Sequence, residues 1–449
     1  MRKLISKLIG IFRNPVWDNP RRFKTVARNK SGVIIGAIDG HPLIDSSMSP
    51  VAVLGPCRSG KGVSILVPTL LTWRESAVVL DVQGELYNLT GHWRRTGANN
   101  EVRRLAFGEL DSADTFNLLD AIPRDTADEL LEIQALAADL LDNGQDGGGF
   151  WGYRARSLLT LFIIAQRRNL GSSLGEVQRA MADDPVFQAT LATYSTLIPD
   201  NELGHAARTA ATEYMELSET TRASVRNVVG DRLAFFASPD VARNTRCSSF
   251  DLSALCGGKT PMTIYVTVAA RDIGRLLPLL RSFLALVIRH GTVPHAQEAT
   301  HPLLLVLDEL TALGRLRFLE SALAYLPSYG IKPLLAIQSL PQLNGVYGKE
   351  NRVWAQCAIR TVLPIRDSAT ASTIAEEIAS IVAQSDQAGA ERRQTISADK
   401  LRSLGKRDAV ILGASAKPML AQMLPYFEDP SFKVSVSSGN PEQPGRVES

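Results

Sequence analysis

The stretch VAVLGPCRSGKGVSILVP, residues 51–68, decides the reading of this chain. An apolar run, Val51–Leu54, enters a turn carrying Gly55, Gly60 and Lys61, and a second apolar segment leaves it. Strand, glycine-rich turn and helix in that order are the setting in which G-x-x-x-x-G-K cradles phosphate. Glycines let backbone N–H groups approach the anion, the helix N-terminus favours negative charge, and the lysine ammonium reaches the β- and γ-phosphates. The candidate phosphate-binding residues are therefore Gly55, Pro56, Cys57, Arg58, Ser59, Gly60, Lys61 and Gly62. One of them is unusual. The common pattern places Ser or Thr after the lysine, where its hydroxyl ligates Mg²⁺; here the residue is Gly62. Ser64 stands two positions later, and its spacing is expected to turn it away from the loop. By itself the loop leaves open a working nucleotide site, a degenerate one and a chance match.

A second segment narrows the choice. LLLVLDEL, residues 303–310, is an apolar strand ending in Asp308 and Glu309. In phosphate-loop ATPases such a strand is expected beside the first; its Asp orients Mg²⁺ and its Glu polarises the attacking water. Two carboxylates at the end of a buried strand are costly unless they have such a task; the alternative is a strand end that caps the next helix. Gln338 closes KPLLAIQS (332–339), where it is placed to sense the γ-phosphate or position water. Asp81, in VVLDVQGEL, fits equally a site role and a turn before Gly84. ATP and Mg²⁺ are the cofactors this set implies.

Short, continuous apolar runs recur at 51–55, 77–82, 263–268, 302–309, 332–339, 359–365 and 409–413. Continuous rather than alternating runs mark strands buried on both faces, as in a parallel sheet. Helical patterns at 275–290 and 317–326 lie between them, so the fold class is α/β. Residues 124–238 break the alternation: no strand pattern, capping boxes at Thr126/Glu129 and Ser173/Glu176, and the long helical run 150–168. An all-helical domain inserted into the α/β domain accounts for this, and also for the long sequence separation of Lys61 and Asp308. The expected division is an N-terminal amphipathic segment and linker (1–31), the first part of the nucleotide domain (32–123), an inserted all-α domain (124–249), the second part of the nucleotide domain (250–434) and a polar, disordered tail (435–449).

Composition sets wide bounds. A net charge of +3 carries no nucleic-acid signal of its own. Cys57, Cys247, Cys256 and Cys357 contain no C-x-x-C pair, which points away from a zinc or disulfide framework and towards a reducing compartment. No apolar run is long enough to span a bilayer. Near the N-terminus, Leu4, Ile5, Leu8, Ile9 and Phe12 share one helical face, with Lys3, Lys7 and Arg13 off it. That segment suits either packing on protein or a membrane surface.

Taken together, the blocks resemble the type IV secretion coupling proteins, the hexameric ATPases of bacterial conjugation. The resemblance rests on RSGKGVSILVPTLLTWRESAVVLDVQGELYNLTGHWRR (58–95), LLLVLDELTALGRLRFLESALAYLPSYGIKPLLAIQSLPQLNGVYG (303–348), KPMLAQMLPYFEDPSF (417–432) and, more weakly, RASVRNVVGDRLAFFASPDVARNT (222–245). They occur in order and cover about Gly32 to Phe432. The resemblance implies a RecA-like P-loop ATPase domain with an inserted all-α domain. It also implies ATP hydrolysis with Mg²⁺ held by Asp308, catalysis by Glu309 and Gln338, and a homo-hexamer. The partners it implies are DNA (single-stranded and relaxase-bound), a relaxase or effector protein, and the components of a type IV secretion channel. An arginine from a neighbouring subunit would complete the site; Arg275, Arg315, Arg317 and Arg360 are candidates. One branch of the family carries glycine after the loop lysine, so Gly62 is compatible with an active site. Two departures are Gln83, where the family's D-x-K-G-E has Lys, and Cys57, where Thr is common. A third is the lack of the family's usual pair of N-terminal membrane helices, so the expected location is cytoplasmic and peripheral on the inner membrane. A DNA-remodelling ATPase without a channel and a non-hydrolysing adaptor are the other readings.

Overall fold

The computed structural model describes residues 31–110, 112, 114–142, 149–169, 171–292, 300–385, 396–413 and 417–437. Its strands, in chain order, are β1 (Val33–Ile38), β2 (His41–Asp45), β3 (Val51–Leu54), β4 (Ser76–Val82), β5 (Glu101–Leu105), β6 (Met262–Val268), β7 (Leu303–Leu307), β8 (Ile331–Ile337), β9 (Ile359–Val362), β10 (Asp408–Leu412) and β11 (Met419–Gln422). They form one sheet in the order β2-β1-β11-β10-β9-β3-β8-β7-β4-β6-β5. From β9 to β5 every pairing is parallel. From β9 out to β2 every pairing is antiparallel.

All seven apolar runs became strands, and the parallel ones are buried on both faces. Ala52, Leu54, Val78, Leu80, Leu305 and Leu307 point to one core; Val51, Val53, Val79, Leu304 and Val306 point to the other. The period of two along each strand divides a continuous apolar run between two layers. On the first face lies the long helix Ile273–Thr292 with the helical segment described below. On the second lie Val67–Thr72, Glu85–Thr96 and the C-terminal Phe432 and Val436.

Among the described residues, no strand of this sheet falls between Leu105 and Met262. Helices fill that interval: Glu129–Leu141, Phe150–Arg167, Leu174–Ala182, Asp184–Thr196, Glu202–Met215 and Glu219–Leu233. The capping box Ser173/Glu176 forms as expected. The one at Thr126/Glu129 does not. That helix starts at Glu129 behind Asp128, and Glu129 is spent elsewhere: its carboxylate accepts from the Asp125 N–H and pairs with the buried Arg167.

Three further expectations are corrected. β7 does not adjoin β3; β8 lies between them, so Gln338 occupies the gap between loop and carboxylates. The 317–326 helix stops at Ala322, and a 3-10 turn, Leu326–Tyr329, follows it. The helix Pro430–Ser437 carries ordered chain past residue 434, where the tail was expected to begin. The N-terminal amphipathic segment and residues 438–449 lie outside the described residues.

Candidate active site

The C-terminal ends of β3, β8, β7 and β4 stand side by side, the edge where open α/β sheets bind ligands. From β3 the chain enters the glycine loop. Arg58 and Gly60 take left-handed backbone, with φ of 60° and 97°. A side chain at Gly55 would strike Ser59 Oγ and Leu363 Cβ, so the loop is closed around its glycines. Lys61 is 7% exposed; its ammonium donates to the carbonyls of Gly55 (2.6 Å) and Pro56 (3.2 Å). Cys57 and Arg58 are exposed at the tip.

Gly62 differs from the other loop glycines. Among the described residues, a Cβ placed there meets nothing within 4 Å, so none of those neighbours demands glycine. The backbone beyond it is also unusual: Gly62–Leu66 forms a π-helical turn that continues into Val67–Thr72. Pro68 lacks an N–H and its ring crowds the carbonyl four residues back, which accounts for the widened turn. Ser64, expected to face away from the loop, instead lies 3.6 Å from the position a Gly60 Cβ would take. The wider turn rotates each successive side chain less. Among the described residues, both Ser59 Oγ and Ser64 Oγ are buried and without a hydrogen-bond partner, polar atoms of the kind a bound polar ligand satisfies.

Asp308 and Glu309 follow β7 directly. Burial pushes the Asp308 carboxyl up to about 7; Glu309 beside it adds to the rise and Lys61 opposes it. Glu309 is left-handed (φ 64°, ψ 54°) and starts the 3-10 turn Leu310–Leu313. Gln338, just past β8, donates through Nε2 to Glu309 Oε2. The structure thus gathers Lys61, Asp308, Glu309 and Gln338 on one edge. Asp81 is fully buried and accepts from the N–H groups of Tyr87 (2.7 Å) and Leu86 (3.2 Å). It caps the first turn of Glu85–Thr96, and burial lifts it to about 6 against those two bonds. The turn-capping reading of Asp81 fits this geometry.

The arginine candidates are each engaged within the chain: Arg275 with Asp240 and Asp272, Arg315 with Glu320, Arg317 with Asp142, and Arg360 with Glu377. One element escaped the sequence reading. Residues 423–426 strap the loop: Met423 Sδ lies against Gly60, and the Tyr426 N–H donates to the Val63 carbonyl (2.9 Å). The block 417–432 was a visible signal, but nothing in it named a partner.

Known proteins resemble this chain over most of its length. The family model "Type IV secretory system Conjugative DNA transfer" matches residues 19–444. A conjugal transfer protein TraG of Escherichia coli is 30% identical over 413 residues, covering 86% of this chain and 62% of the relative. The protein VirD4 of Agrobacterium fabrum is 29% identical over 338 residues, covering 73% and 49%. The chain therefore spans about 62% of the length of the TraG relative. Among solved structures, the plasmid coupling protein TrwB with the ATP analogue ADPNP superposes with a TM-score of 0.67 at 18% identity, covering 91% of this chain and 92% of that one. TrwB with ADP and Mg²⁺ gives 0.64, also at 18% identity, covering 88% and 90%. These structures carry the fold: a RecA-like sheet with an associated helical segment. By its family match, this chain belongs to the type IV secretory conjugative DNA transfer family.

Proposed function

We propose that this chain is an ATP-hydrolysing coupling protein that delivers relaxase-bound single-stranded DNA, or a protein substrate, to a type IV secretion channel. The observation that carries the reading is the Gln338–Glu309 hydrogen bond at the ends of adjacent strands, one strand away from the Lys61 loop. Family membership and the TrwB-like fold support it.

In the proposed chemistry, the backbone of Gly55–Gly62 surrounds the β- and γ-phosphates. Lys61 exchanges its two loop carbonyls for phosphate oxygens. Asp308 fits a divalent cation, because its carboxyl is buried beside a like charge and lacks a counter-ion strong enough to keep its affinity for protons normal. Bound Mg²⁺ would neutralise charge on the phosphates and, by keeping several waters, would need few protein ligands, so Gly62 is tolerable. Glu309 accepts the proton of the attacking water, and Gln338 holds Glu309 and reports the γ-phosphate. Because β8 separates β3 from β7, Gln338 stands between the phosphates and the base.

The same proposal includes a homo-hexamer, an all-α domain over about 124–249 and a neighbouring subunit's arginine at each site. Among the described residues, no helix is long and apolar enough to cross a membrane. Attachment is proposed to be peripheral, on the cytoplasmic face of the inner membrane. The test is ATP turnover by the assembled full chain with and without DNA. Stimulation that falls steeply with salt is expected, since each phosphate contact releases counterions. Turnover without stimulation by any DNA would favour a protein-cargo receptor, and no turnover at all would favour an adaptor.

A further inference from the structure

The helix Phe150–Arg167 opens with three large aromatic side chains turned to solvent. Phe150 is 52% exposed, Trp151 49% and Tyr153 51%. A cluster of that kind marks a surface that binds something. The three rings and one guanidinium form a single surface. Phe150 and Trp151 meet edge to face with centroids 5.5 Å apart. The Arg154 guanidinium lies 5.4 Å from the Phe150 centroid and 5.5 Å from that of Tyr153, held there by an ion pair with Glu213.

Beside this surface is a cavity of about 590 Å³, with Tyr153 on its rim and Gln134, Arg156, Ser157, Glu202 and His205 among its walls. The wall chemistry selects the occupant. A phosphate would meet Arg156 but be repelled by Glu202. A charged peptide side chain of either sign would face one wrong partner. A neutral heterocycle whose edge carries both donors and acceptors satisfies Arg156 and Glu202 together, while Gln134 and Ser157 supply either role. Tyr153, Trp151 and Phe150 supply faces on which such rings stack.

The helix that carries this surface packs on Glu129–Leu141, and a chain of contacts runs from the end of that second helix to the turn after Glu309. Arg167, at the far end of the same helix, pairs with Glu129 at the start of Glu129–Leu141, so the two helices run antiparallel. Phe150 therefore lies towards the Asp142 end. The Asp142 carbonyl accepts from Arg281 Nη1 (3.3 Å), and Arg281 Nε donates to the Leu313 carbonyl (2.7 Å). Leu313 ends the turn that begins behind Glu309.

We infer that Phe150, Trp151 and Tyr153, with the cavity lined by Arg156 and Glu202, bind unpaired nucleobases presented by a single strand of nucleic acid. This rests on the nucleic-acid half of the proposed function and assigns it residues. The test is binding of labelled oligo-dT to the full chain without nucleotide, followed by anisotropy. The comparison ligands are an abasic oligomer of equal length, duplex DNA and free dTMP. Trp151→Ala should weaken oligo-dT binding about tenfold, the usual scale for one lost stack, and Trp151→Phe should restore most of it. Abasic and duplex binding should change little. Circular dichroism and Tm confirm that the helix persists in each variant. Equal losses on oligo-dT and the abasic oligomer would overturn stacking and leave a backbone contact. Unchanged oligo-dT binding in Phe150→Ala/Trp151→Ala/Tyr153→Ala would overturn the assignment and make the surface a protein-docking face. Wild type that fails to bind oligo-dT at all would overturn the nucleic-acid reading itself. Tight binding of free dTMP would make the cavity a nucleotide site rather than a strand site.

Discussion

Gln338 Nε2 donates a 2.5 Å hydrogen bond to Glu309 Oε2, joining the ends of β8 and β7. Glu309 also holds left-handed backbone, a conformation that costs a non-glycine residue about 1–2 kcal/mol. The bond occupies one carboxylate oxygen and fixes the direction of the other. In the proposed mechanism, a base so oriented is needed for turnover and not for binding. Glu309→Gln should therefore keep nucleotide affinity and lose about 10²-fold or more in kcat. Gln338→Ala frees the carboxylate to rotate and should lose less, with the loss again in kcat. Phosphate release and nucleotide titration on both variants check this; wild-type turnover in Glu309→Gln would remove that residue from the mechanism.

The open space at Gly62 gives a gain-of-contact test. A Cβ there meets no atom of the described residues within 4 Å, so Gly62→Ser should fold normally and return the hydroxyl that the usual loop directs at Mg²⁺. We expect tighter binding of Mg²⁺–nucleotide and unchanged binding of nucleotide in excess chelator. Lys61→Ala is the control and should weaken both. If Gly62→Ser leaves the Mg²⁺ dependence where it was, the ion does not sit beside that position.

Asp308 links the site to pH. Its folded value of about 7 lies above the ordinary 3.8, so the folded chain holds a proton that the unfolded chain has lost. Stability from this group is full below pH 4, falls as pH rises towards 7 and levels off beyond it. Asp308→Asn removes the penalty. It should raise the Tm of the Mg²⁺-free chain at pH 8 and change it little at pH 4. At pH 8 the difference should be at most about 2–4 kcal/mol. Saturating Mg²⁺–nucleotide should narrow the gap, because a cation stabilises the charged form. Comparing variant and wild type at each pH cancels Asp139, which burial also lifts to about 6, whereas Asp81 is part of the difference because its charge adds to the rise at Asp308. A variant less stable than wild type at pH 8 would show that Asp308 is already paired.

The parallel half of the sheet was legible because its strands are buried on both faces and read as unbroken apolar runs. The four missed strands each break that rule. β1 is interrupted by Gly36, β2 contains Pro42, β5 carries Glu101, Arg103 and Arg104, and β11 has only three apolar residues between Pro418 and Gln422. The site residues were legible for related reasons: Asp308, Glu309 and Gln338 directly follow strands, where a polar residue interrupts apolar sequence, and Lys61 closes the glycine-rich turn between β3 and the helix after it. Sequence could not give the strand order. The placement of β8 between β3 and β7 depends on long-range pairing, and nothing local in either strand encodes it. Nor could it give the role of Arg281, which reads as one more cation on an amphipathic helix and proves to be 8% exposed and bonded to two backbone carbonyls.

That arginine supports the last prediction. Gly314 closes the turn behind Glu309 with φ 64° and ψ −162°, backbone that is essentially restricted to glycine. A Cβ there would also collide with Arg281 Nη2. The guanidinium has little room to retreat, since its Nε is bonded to the Leu313 carbonyl and its Nη1 to that of Asp142. Gly314→Ala should therefore cost about 1–3 kcal/mol of stability from the backbone alone. It should also loosen the turn that holds Glu309. Because the Lys61 loop is two strands away, nucleotide affinity should survive while kcat falls. Arg281→Ala removes the collision partner and leaves the backbone cost, so the double variant should be less damaged than the sum of the two singles. Urea melts and turnover of the four proteins measure this coupling. Strict additivity in both would show that Arg281 does not brace the turn.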